Sequence, residues 1–172
     1  MNFALLVLHV VVGAYFAAHG AQKLFGSFGG HGLEGTSGFF EDTLGLRPGR
    51  FHATAAGVNE FVGGILIALG LLVPLGALLI VATMVAAIQT AHLGKGAFSQ
   101  DGGWELNVVY IAIAVALAGA GAGEWSLDYA LGLDLTGTGW AVGVLAAGLV
   151  GGLATVAIGR AGAGDRASQA SA

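Results

Sequence analysis

The chain has no cysteine in its 172 residues. That excludes disulfides, thiol redox chemistry, and zinc or iron–sulfur centres held by cysteine on this chain. Charge is nearly as scarce. Asp, Glu, Lys and Arg together make 9%, against about 25% in an ordinary soluble domain. A soluble chain this poor in charge has too few polar groups to cover its surface. The six basic residues are scattered and the net charge is −4. Nucleic acid, which demands clustered Lys and Arg, is excluded as a partner.

What the chain has instead is apolar length. Hydrophobic residues make 56% and mean hydropathy is +0.83. The expected solvent is a lipid bilayer, and the expected fold is an all-α membrane protein. A crossing needs roughly 20 mainly apolar residues. Five runs qualify: about Phe3 to His19, Ala53 to Val73, Leu75 to Ala91, Glu105 to Ala120, and Gly139 to Ile158. Pro74 stops the second, and "GLLVPLG" joins it to the third so tightly that the two form a helical hairpin. The first run follows only "MN". It has no basic n-region and is longer than an h-region, so it reads as a retained span and not a cleaved signal.

Orientation follows from the basic residues. With five spans, Lys23, Arg47 and Arg50 fall in the first loop, Lys95 in the third, and Arg160 and Arg166 in the tail. All lie on one side, which predicts the cytoplasm, with the N-terminus outside and the C-terminus inside. The fourth loop carries Glu124, Asp128 and Asp134 and is external. The expected organisation is a four-helix core over 1–131 with a cytoplasmic loop at about 20–52, a fifth span over 132–159, and a disordered tail at 160–172. In the first loop, Phe39, Phe40, Leu44 and Leu46 suit a short interfacial helix capped by Thr36 or Ser37.

Two stretches echo one another. The first span ends "AHGAQKLF" and the third ends "AHLGKGAF"; each following span opens with a glutamate, Glu60 or Glu105. The pattern suggests two helical hairpins of like design. The hairpin ends then share the cytoplasmic face, where His19, Gln22, Lys23, His52, Asn59, Glu60, Gln89, His92, Trp104, Glu105, Asn107 and Tyr110 gather. Helical spacing puts Tyr15, His19 and Gln22 on one face, Gln89 and His92 on another, and Gly57, Glu60 and Gly64 on a third.

Glu60 carries the most weight. It lies ~10 Å along its helix from the cytoplasmic end, and facing lipid there costs at least ~2.5 kcal/mol. It must face the bundle, be protonated or be paired, and Lys23, His19 and His92 are the available partners. Each neighbour also has a structural reading: Lys23 as a snorkelling residue, His19 and His92 as bonds to helix-end carbonyls, Trp104 and Tyr110 as membrane-belt anchors. His9, mid-span, reads as a hydrogen bond between helices. No Glu-x-x-His or His-x-x-x-His occurs, so no metal site is expected. Gly148 and Gly152 form a small-xxx-small face for helix packing, inside the chain or in a homo-oligomer.

The ordered set "HGAQKLFG", "NEFVGGILIALGLLVPLGA", "AHLGKGAF…GGWELN" and "GAGEWSLD" resembles the DoxX family of bacterial membrane proteins, over roughly Leu5 to Leu131. The resemblance implies a four-helix membrane core in a bacterial plasma membrane; the fifth span goes beyond it. Related DoxD and DoxA proteins are associated with thiosulfate:quinone oxidoreductase in sulfur-oxidising archaea, and some DoxX members with membrane oxidoreductase complexes and oxidative-stress defence. The residues matching the family pattern are His19, Gln22, Lys23, Gly26, Glu60, Gly64, His92, Glu105, Ser126 and Asp128. The family assigns them no firm roles.

The expected function is a quinone-linked subunit of a redox complex. His19, Lys23, Glu60, His92 and Glu105 are the expected proton-handling residues. Tyr15, His19, Gln22, Asn59, Glu60 and Gln89 are the expected cofactor contacts. No electron-carrying cofactor motif is present, so electrons come from a substrate or a redox partner protein. The alternatives are a small-molecule carrier gated by Glu60 and a scaffold for soluble redox enzymes.

Overall fold

The computed structural model describes residues 2–170, the side chains of 164–170 excepted. Among the described residues every regular element is helical. The long helices are α1 (Asn2–Phe25), α3 (Gly49–Leu69), α4 (Val73–Ala87), α5 (Glu105–Ala120) and α7 (Thr138–Ala170); α2 (Gly32–Gly38) and α6 (Leu127–Ala130) are short. A π-helical turn, Ile88–His92, prolongs α4. All five apolar runs are therefore helices, but they are not equal. Four are long and apolar enough to cross a bilayer: α1, α3, α4 with its continuation to Lys95, and α7. With 16 residues, α5 is shorter.

The hairpin between α3 and α4 forms as its sequence requires. Gly70 ends α3 in the left-handed conformation, and Pro74 sits in the first turn of α4, where its missing N–H has no helical partner to lose. Leu72 between them also has positive φ, +46°. Such a backbone is strained for a branched residue and needs support from elsewhere.

Glycine sets the two tightest helix contacts. A side chain on Gly13 would strike the backbone of Ala68, and one on Gly64 the backbone of Ala17, so α1 and α3 meet main chain to main chain. In the same way Gly152 faces the Ala82 carbonyl and Val85 on α4, while Gly148 faces Val81. The small-residue face of α7 is thus used inside the chain. The resulting core includes Val12, Phe16, Ile67, Ile80, Val81 and Leu117. Outward-facing Val7, Val11, Val62, Val109 and Val150 are exposed, as lipid-facing residues are.

His9 is mid-helix and buried, and its Nδ1 donates to the Ile67 carbonyl of α3 at 2.8 Å, the predicted bond between helices.

Two expectations need correction. Thr36 and Ser37 do not cap the loop helix. It starts at Gly32, with both residues inside it; Ser37 Oγ donates to the Leu33 carbonyl and Thr36 Oγ1 to the Lys23 carbonyl. The final helix also does not stop at Ile158 before a disordered tail, but continues to Ala170. The first residues of this extension are docked: Arg47 N donates to the Gly159 carbonyl, and Arg160 Nη2 to the Gln89 carbonyl. The side chain of Arg166, and Ser171 and Ala172 altogether, lie outside the described residues.

Candidate functional site

At one end of the bundle the helices enclose a cavity of about 420 Å³, within the range of small-ligand sites. The α1–α3 pair forms one wall and α4, α5 and α7 the other. The segment after α2, with Phe39, Phe40, Leu44 and Leu46, contributes a third side. That segment turns as a π-helix over Phe39–Thr43. It is tied down by Glu41, whose Oε2 accepts the Gly49 N–H at 2.9 Å and whose Oε1 lies 3.6 Å from Arg47 Nε. Most of the lining is apolar, with Ala55, Ala56, Ala86 and Ala87 leaving the room.

The polar part of the wall centres on an ion pair. Lys23 Nζ meets Glu60 Oε2 at 2.5 Å; the Glu60 side chain is buried and that of Lys23 is about a quarter exposed. Gly57, one turn before Glu60, makes room for this contact: a side chain there would strike Leu24 and crowd Lys23. Of the three partners the sequence offers Glu60, the structure brings it Lys23. A carboxylate facing the bundle and paired with an ammonium escapes the cost of facing lipid.

The two Ala-His stretches both deliver their histidine to the cavity. His19 is exposed and stands at the mouth. Gln22 orients it: the Gln22 amide donates to the Phe28 carbonyl at 3.4 Å, so its Oε1 accepts from His19 Nδ1 at 3.1 Å. His92 Nδ1 bonds the Gly102 carbonyl at 2.7 Å. A carbonyl only accepts, so that nitrogen carries hydrogen in His92. Both rings are therefore fixed through Nδ1, which leaves Nε2 as the nitrogen available to a ligand.

The two glutamates part company. Glu60 is buried on the cavity wall, whereas Glu105 is exposed and outside it, accepting the Ser99 N–H at 2.9 Å to close the turn before α5. The second hairpin supplies Asn107 and Tyr110 in its place, the latter packed edge-on against Phe16 at 5.0 Å. Asn107 Nδ2 has only Met84 Sδ, at 3.4 Å, a weak acceptor.

Tyr15, Gln22 and Gln89, three of the expected contacts, are not among the residues lining this cavity. Tyr15 is 61% exposed and outside the lining, because Phe16, about 100° further round the helix, takes the inward position. Gln22 acts through His19 and does not line the cavity. Gln89 offers its carbonyl to Arg160 instead. Asn59 does line the cavity, and so does His52; the sequence reading placed His52 at this face but gave it no role.

The DoxX family model matches residues 4–93, slightly more than half the chain. The chain belongs to the DoxX family. It is an integral membrane protein, and its apolar helices imply contact with a bilayer. No curated protein and no solved structure matches the chain. The matched stretch of this DoxX chain holds His19, Lys23, His52, Glu60 and His92, and stops short of α5 with Asn107 and Tyr110. Ser126 and Asp128, part of the resemblance read to Leu131, also lie beyond it.

Proposed function

We propose that this DoxX-family protein binds a quinone in the cavity and serves as the quinone-handling subunit of a bacterial plasma-membrane redox complex. The observation that carries the reading is an apolar cavity with the Lys23–Glu60 pair on its wall. A quinone needs an apolar slot for its ring and a donor at its oxygens. Lys23 is a donor. His19 and His92, whose Nδ1 hydrogens are committed to Gln22 and Gly102, offer Nε2, which donates only from a protonated ring. The Glu60 carboxylate beside Lys23 is the group to carry a proton inward. Reduction to the quinol takes two electrons and two protons. The electrons come from a reduced partner protein docked at this end, and the protons from water through His19 at the mouth.

The same reading sets the orientation. Lys23, Arg47, Lys95 and Arg160 lie toward the cavity end, which supports reading it as the cytoplasmic end. With the N-terminus outside, α5 is then a fifth crossing. Its length of roughly 24 Å is short for a ~30 Å hydrocarbon core, and its packing against α4 and α7 supports it.

The test is native mass spectrometry of gently solubilised protein, with solvent extraction and quinone analysis. Stoichiometric quinone in the wild type, lost in Glu60→Ala, is the expected result. A ligand-free chain that keeps protein partners would overturn the reading in favour of a scaffold. Ligand-free protein that transports a solute into vesicles, dependent on Glu60, would make it a carrier.

A further inference from the structure

Asn107 stands in the first turn of α5, is 8% exposed and lines the cavity. An asparagine amide has two hydrogens to donate and an oxygen to accept. One hydrogen goes to Met84 Sδ at 3.4 Å, a weak acceptor. The second hydrogen and Oδ1 make no hydrogen bond among the described residues. Burial removes the water that would otherwise serve them, and buried amides are rarely left so. Glu60 and Thr83, buried on the same lining, are better served: Glu60 has Lys23, and Thr83 Oγ1 donates to the Leu79 carbonyl of its own helix.

The fold sets what this amide faces. The helices α1 and α5 run in opposite directions, tied at the far end by Asn2 and Glu124 and at mid-height by the Phe16–Tyr110 ring contact. One turn beyond that contact, toward the cavity end, α1 presents His19 and α5 presents Asn107, and both line the cavity. The two walls differ in chemistry. On the α1–α3 wall the Lys23 ammonium only donates and the Glu60 carboxylate only accepts. On the α5 wall Asn107 does both, without charge. A quinone oxygen only accepts, whereas a quinol hydroxyl donates and accepts. A charged group suits one form better than the other, and a neutral amide suits both.

We infer that Asn107 holds a ligand oxygen from the α5 wall and lets the site keep the oxidised and the reduced ligand alike. Its N–H serves the quinone carbonyl, and its Oδ1 serves the quinol hydroxyl. This rests on the quinone reading above and adds to it a residue beyond the stretch 4–93 that the family model matches.

The experiment titrates the purified full chain with decyl-1,4-benzoquinone and, under anaerobic reducing conditions, with the corresponding hydroquinone. Asn107→Leu, close to asparagine in shape, and the smaller Asn107→Ala are each expected to weaken both probes about tenfold, the scale of one hydrogen bond to a buried group. The unliganded N107L protein should unfold at the wild-type temperature or above it, because a poorly satisfied polar group has been removed. Full affinity for both probes in either variant would overturn the contact while leaving the quinone reading intact. A loss confined to one probe would overturn the service to both forms. Lower unfolding temperatures in both variants would make Asn107 structural and overturn the inference too. Wild-type protein that binds neither probe would sink the reading and the inference together.

Discussion

Asp128 holds the backbone of Leu72. Its Oδ1 accepts the Leu72 N–H at 2.7 Å and its Oδ2 the Val73 N–H at 3.2 Å, across a separation of 56 residues in the first case. The buried carboxylate thereby serves the first turn of α4, where N–H groups lack helical partners and the helix dipole favours negative charge. It also secures the positive φ of Leu72. The same short helix is bound in return, since Asp128 N donates to the Gly70 carbonyl at 2.9 Å.

Replacing Asp128 by alanine should therefore destabilise the protein by about 2 kcal/mol, the scale of charge-assisted hydrogen bonds lost from buried donors. Asp128→Asn, which keeps an acceptor, should lose less. Thermal unfolding in detergent checks both. Because Asp128 lies away from the cavity, ligand binding by the folded D128N fraction should be unaltered.

The Lys23–Glu60 pair calls for a double-mutant cycle. Glu60→Leu leaves an ammonium largely buried without its partner, and should cost about 2 kcal/mol, less than the 3–5 kcal/mol of a fully buried pair because Lys23 reaches solvent. The double change, Lys23→Met with Glu60→Leu, should recover most of that stability and none of the ligand binding. A double variant whose loss equals the sum of the losses in Glu60→Leu and in Lys23→Met alone would show that the pair is not coupled. Glu124→Ala, which removes only an exposed contact with Asn2, should change unfolding little.

The main-chain contact of α1 and α3 predicts a sharp dependence on side-chain size. Gly64→Leu should prevent the two helices from meeting and abolish accumulation of folded protein in the membrane. Gly143→Leu, where nothing lies within reach of an added side chain, should be tolerated. Membrane fractionation and size-exclusion profiles distinguish these outcomes.

On α7, Gly152→Leu should strike Val85 and the Ala82 carbonyl and detach α7 from α4. Limited proteolysis of the variant should then release the C-terminal helix, while wild type resists.

Much of this architecture is written in local composition. The long apolar runs and the proline at the hairpin place the helices without any knowledge of their neighbours. Gly57, Glu60 and Gly64 share a face by spacing alone, and that face does meet α1. What spacing does not carry is direction relative to distant elements. Tyr15 and Phe16 are adjacent in sequence, and only the placement of α3 and α5 decides that Phe16 is the inward one. Glu105 repeats the position of Glu60 in its hairpin, but the turn before α5 is short and needs its carboxylate for Ser99. Asp128 gains its meaning only from the hairpin it closes.

The glycines between α1 and α3 bear on how relatives of this chain should be compared. Gly13, Gly20 and Gly64 are fixed by shape, since any larger residue drives two main chains apart. Their invariance across a set of sequences would report geometry and carry no information about chemistry. The columns that discriminate are those where several residue types fit the space and only a few fit a ligand: positions 19, 23, 52, 60 and 92. Under the proposed function, relatives that keep the glycines and lose those five would share the scaffold and not the ligand.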